Sequence, residues 1–155
     1  MTDWFKALTG FQESDYQTTR SNLELHGEQL RSKANGRSFH IGRLETPTLA
    51  DLRARGAPLL ADLAGRLRVS AVTGEARAMH RDPAHANALF QVASQFNLLE
   101  MTGPSVSPED GVTRYAHDHT QGPACAIAAG AATIYRNYLA PVAGQTGQTR
   151  DRQID

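Results

Sequence analysis

Cys125 is the only thiol in the 155 residues, and it closes a run of polar and titratable groups, His117-Asp118-His119-Thr120-Gln121-Gly122-Pro123-Ala124-Cys125. The small residues at the end of that run suit the first turn of a helix. A helix start leaves N–H groups without partners and carries the positive end of the dipole, so it stabilises a phosphate or a thiolate. Thr120, Gln121, Gly122 and Ala124 therefore form a candidate phosphate cradle, in which Gly122 and Ala124 let a ligand approach the backbone. The plainer alternative is a tight turn into a helix with no ligand at all.

The same position could lower the pKa of Cys125, with His119 or His117 nearby to take its proton, giving a thiol nucleophile and base. Against this stands the packing value of Cys-Ala-Ile-Ala-Ala-Gly, which is also the pattern of a helix pressed closely on a sheet. His117-Asp118-His119 could share a strand face around a metal. The remaining histidines, His26, His40, His80 and His85, have no zinc-ligand spacing with it, so no metal site and no cofactor are expected.

The elements that must position these groups are legible in part. Ile127, Ala131, Ile134 and Tyr138 fall at i, i+4, i+7 and i+11, Pro123 suits a first turn and Pro141 stops it, which predicts a helix over 123–138. Residues 88–93, Ala-Leu-Phe-Gln-Val-Ala, read as a strand buried on both faces. Alternation over 67–73 predicts another strand, and Gly and Pro across 102–111 a loop. Further upstream, alternating apolar residues over 22–30 and 38–44 flank Asn35-Gly36, predicting a β-hairpin. Trp4, Phe5, Leu8 and Phe11 gather on one side of a short N-terminal flap. From Leu49 and Leu52 a covering helix starts, which Gly56-Ala57-Pro58 is expected to interrupt before Leu59. These readings give a single α/β domain over 1–143, with flap and hairpin in 1–45, and a polar tail over 144–155.

A chain of this length buries roughly two thirds of the surface its unfolded form exposes, enough for one real core. Sixteen basic and sixteen acidic residues cancel, so no global field exists to hold a nucleic-acid backbone or an anionic membrane. No apolar run approaches the roughly 20 residues of a membrane-spanning helix. The N-terminus has neither a secretory nor a transit pattern. One cysteine excludes an internal disulfide, which points to a reduced compartment, the cytoplasm.

In order, the central elements resemble a macrodomain. That family has a strand leading to a Gly-Asp pair, a buried strand ending in Asn-Ala-Ala-Asn, and a Gly-rich loop opening a helix like Ala-Ile-x-x-Ala-Ala-Gly. Val72-Thr73-Gly74-Glu75, residues 88–94 and residues 122–130 look like these three in turn, within the stretch 69–136. The resemblance implies a three-layer mixed sheet with covering helices that binds ADP-ribose or a related NAD-derived nucleotide. Glu75 would take the place of the acid that receives the adenine amino group. Gln91 and Ser94 stand where the family has two asparagines, keeping hydrogen-bonding capacity but changing reach. The loop at 120–124 would cradle the diphosphate. Ala124 stands where some hydrolytic macrodomains carry an acid, so ADP-ribosyl hydrolysis is less expected than binding. The family pattern continues through further strands beyond this match, so the chain is either a partial likeness completed by its N-terminal hairpin or a relative truncated at the C-terminus. The competing functions are a thiol-dependent enzyme using Cys125, and an interaction domain with no small ligand.

Overall fold

The computed structural model describes residues 3–43, 45–61, 65–91, 105–118 and 121–153, of which 59–61 are described by their backbone alone. The protein is mixed α/β. In chain order the elements are α1 (Trp4–Thr9), α2 (Tyr16–Ser21), β1 (Leu23–His26), β2 (Gln29–Ser32), β3 (Ser38–His40), α3 (Leu49–Ala61), α4 (Ala76–Arg81), α5 (Gln121–Ala128), α6 (Gly130–Tyr138), β4 (Pro141–Val142) and β5 (Gln145–Thr146). They fall into two units, Met1–Gly42 with Gly74–Asp155, and Arg43–Thr73.

In the larger unit the N-terminal flap is α1. Asp3 accepts from the Lys6 N–H at its start, and Gly10 closes it in the left-handed conformation at φ 81°. Phe5 is fully buried and meets Phe11 edge to face. The predicted hairpin is a three-stranded antiparallel meander, β1-β2-β3. Its second turn carries Gly36 at φ 70°, as the Asn-Gly pair suggests, while Gly27 at φ 58° opens a first turn inside the segment expected to be one strand. Leu23 and Leu30 point into the core. There they join Phe5, Tyr16, Val112, Tyr115, Ala126, Ile134 and Tyr138. The core thus unites the first 42 residues with the segment after 105.

The long helix over 123–138 is present as two, α5 and α6, broken at Ala129. Gly130 explains the break: a Cβ there would lie 2.9 Å from Leu8 Cδ1 and 3.0 Å from the Trp4 ring, so α1 packs where a side chain would stand. The Thr133 hydroxyl donates to the Ala126 carbonyl at 2.7 Å across the break. Beyond α6, residues 141–146 form the hairpin β4–β5. The Gly147 N–H donates to the Ala140 carbonyl, and the Gln148 N–H to that of Asn137. The described part of the polar C-terminal segment is therefore tied to α6 by backbone bonds.

Two strand expectations are not met. Residues 67–73 and 88–91 have no regular structure, and Leu67, Val69 and Leu89 are each more than four-fifths exposed. Apolar alternation fits a strand but does not supply one: a strand needs a neighbour to take its backbone bonds, and among the described residues neither segment has one. Residues 92–93 of the second expectation lie outside the described residues. In the Arg43–Thr73 unit, α3 runs unbroken through Pro58. A proline in a helix removes one i−4 bond, a cost this helix carries without breaking. Leu49 and Leu52 of α3 are exposed, contrary to the expectation that they cover a sheet.

Candidate functional site

The titratable groups gather where α4 packs on α5. Helix α4 is short, capped at its start by the Glu75 backbone without help from the Glu75 side chain. Asp82 ends it and caps the following 3-10 turn, its Oδ1 accepting from the Ala84 N–H at 2.9 Å. One face of α4 meets α5 through His80, whose Nε2 lies 3.0 Å from Cys125 Sγ. The His80 ring stacks on Phe90 at 3.9 Å between centroids, and His85 meets the same Phe90 edge-on. Burial pushes the Cys125 thiol above its ordinary range.

The Arg77 guanidinium is spent on a structural task. One of its terminal nitrogens donates to the carbonyls of Tyr115, Ala116 and Asp118. These lie at the end of the 3-10 turn Thr113–His117, where the Tyr115 carbonyl also accepts from the Asp118 N–H. Arg77 thereby ties α4 to the approach to α5. Its Nε is buried and has no hydrogen-bond partner.

An open cleft of about 640 Å³ lies on α4, lined by Glu75, Arg77, Ala78, Arg81, Asp82 and Pro83. Among the described residues neither the Glu75 carboxylate nor the Arg81 guanidinium has a hydrogen-bond or ion-pair partner, and both residues are exposed. A free acceptor and a free planar donor thus share one depression, with Ala78 and Pro83 among its lining residues.

The sequence candidates distribute unevenly over this site. Glu75 lines the cleft. Gln121 is exposed at the first position of α5, but Gly122 and Ala124 are buried, packed rather than open to a ligand. Of the two histidines expected beside Cys125, only His117 is described; it is exposed with no hydrogen bond among the described residues, and the imidazole beside the thiol there is that of His80. Gln91 is exposed in an irregular segment. His119, Thr120 and Ser94 lie outside the described residues. Among the described residues no three His, Cys, Asp or Glu side chains group as a metal would need, and no helix is long and apolar enough to cross a membrane. The sequence singles out neither Arg77 nor Arg81, and it offers His80 only as a histidine without zinc-ligand spacing. The i, i+4 spacing of Arg77 and Arg81 was the one available signal, since it sets two guanidinium groups on one helix face.

Compared with known protein families, curated proteins and solved structures, the chain matches none.

Proposed function

We propose that this chain is a macrodomain-like module that binds ADP-ribose or a related NAD-derived nucleotide in the cleft on α4. One observation carries the reading: Glu75, the residue that the resemblance assigns to the adenine amino group, presents an uncommitted carboxylate in a cleft on the helix that packs against α5. Glu75 is exposed and has no partner among the described residues, so its carboxylate is open to a ligand donor at no cost in broken bonds, which favours a binding role. The burial of Gly122 and Ala124 moves the phosphate contact from the helix start to side chains of the cleft and to Gln121. In this reading the fold is the three-layer arrangement of the resemblance, to which α4 and α5 contribute, and the compartment is the cytoplasm of a protein with one free thiol. Binding, rather than hydrolysis, is the activity, because Ala124 offers no acid.

Calorimetric titration of ADP-ribose tests it. Binding in the millimolar range or tighter, about 4 kcal/mol or more of free energy, is expected, and it should be lost in Glu75→Ala. An unchanged affinity in that variant, or no heat with the parent, overturns the reading.

The Cys125–His80 distance of 3.0 Å favours a second reading, a thiol-dependent activity with His80 as base. The elevated thiol pKa weighs against it, since the nucleophile is the thiolate.

A further inference from the structure

We infer that Arg81 is the anion-binding side chain of the α4 cleft and takes a phosphate of the bound nucleotide, an inference that rests on the nucleotide reading above. Two guanidinium groups line the cleft, and they differ in what they have left to give. Arg77 is committed to three carbonyls of the turn before α5, so it cannot turn to a ligand without releasing that turn. Arg81, one helical turn further on, has no partner among the described residues. The neighbouring carboxylate does not neutralise it: Asp82 faces the Ala84 N–H as a cap. Arg81 therefore keeps its charge and its planar fork of N–H donors, which matches two oxygens of a phosphate.

The placement also suits one ligand lengthwise. Glu75 and Arg81 are six residues apart, a rise of roughly 9 Å along a helix at about 1.5 Å per residue. That is comparable to the span from the exocyclic amine of an adenine nucleotide to its 5′-phosphate. A donor-bearing base at Glu75 and an anion at Arg81 then lie over Ala78 and Pro83, whose apolar surface suits the sugar and ring between them.

The experiment compares ADP-ribose with adenosine, which lacks phosphate, against the parent chain, Arg81→Ala and Arg81→Lys. Because Arg81 is exposed, neither variant should shift the melting temperature appreciably. Arg81→Ala should weaken ADP-ribose tenfold or more and leave adenosine unchanged, with Arg81→Lys between parent and alanine because it keeps charge but loses the fork. If Arg81→Ala binds ADP-ribose as the parent does, the inference is overturned while the nucleotide reading stands. Equal weakening of both ligands also overturns it, since Arg81 would then act on the base or the fold. If the parent binds neither ligand, the nucleotide reading fails and the inference with it.

Discussion

Glu13 and Glu75 are two carboxylates in one structural unit with opposite fates. Glu13 Oε1 accepts from the Val112 N–H and the Tyr138 hydroxyl, each at 2.8 Å, and Oε2 accepts from the Thr113 N–H at 2.8 Å and its hydroxyl at 2.7 Å. Gly111 makes room for it: a Cβ at that position would stand 2.5 Å from Oε2. Every lone-pair direction of Glu13 is used to hold residues 111–113 and α6 together. Glu75 uses none of its own, not even to cap the helix it precedes. The contrast separates two uses of the same chemistry. A carboxylate surrounded by donors from distant segments fixes the fold, whereas one left open in a cleft is available to something outside the chain.

The comparison breaks most visibly under alanine substitution. Glu13→Ala strands four donors around a half-buried site, and losing hydrogen bonds to a charged group should cost about 3 kcal/mol or more. Glu75→Ala removes no bond and should stay within about 0.5 kcal/mol. Urea unfolding of both variants checks this through their midpoints at unchanged slope; equal midpoints would contradict the division between fixing and binding carboxylates.

Alkali probes the Glu13 side of the contrast next. Burial pushes the Tyr16 phenol up to about 12, and Tyr115 and Tyr138 further, with the Glu13 charge adding to the burial of Tyr138. In the unfolded chain these phenols ionise near 10. Above that pH the unfolded state releases protons that the folded state keeps, so it binds fewer, and stability must fall as pH rises. The full contribution is present below about pH 10 and declines by up to about 1.4 kcal/mol per pH unit for each tyrosine. Urea midpoints measured from about pH 8 to about pH 11 should be flat at first and then drop. A midpoint that holds through this range would show that the three phenols are not shielded together.

How much of this was legible depended on whether the cause was local. The apolar side of the N-terminal flap, the Asn35-Gly36 turn and the 3.6-residue spacing up to Tyr138 are near-neighbour properties, and each reappears in the fold. The break at Ala129 was not legible, because it follows from α1 packing on Gly130 more than a hundred residues away. Residues 67–73 and 88–91 carry strand-like patterns, yet a pattern does not name a partner strand. The site divides in the same way. Glu75 and Cys125 stood out by type and position, but the partner of Cys125 is His80, 45 residues distant, and no spacing rule connects them. Of the sequence-adjacent candidates, His117 is exposed without a hydrogen bond among the described residues, and His119 lies outside them.

The smallest expected effect concerns that pair and decides whether the α4–α5 contact is chemistry or packing. A nucleophilic thiol ionises below the ordinary thiol range, usually helped by a protonated histidine or an open helix start. Cys125 has a histidine, but the start of α5 is filled by Gly122, Pro123 and Ala124, all buried, and desolvation raises its pKa. Iodoacetamide should therefore alkylate Cys125 in the folded protein several-fold more slowly at neutral pH than in the urea-unfolded chain, and the rate should climb only as pH passes the ordinary thiol range of about 8.5. His80→Ala separates the two roles of the imidazole. If His80 only accepts from or packs on the thiol, its removal opens the sulfur to solvent and the alkylation rate rises toward the unfolded value. If His80 activates the thiol, the parent reacts faster than the unfolded chain and the variant loses that advantage. The first outcome leaves Cys125 as a packing residue between α4 and α5; the second would move the functional centre from Glu75 and Arg81 to the sulfur.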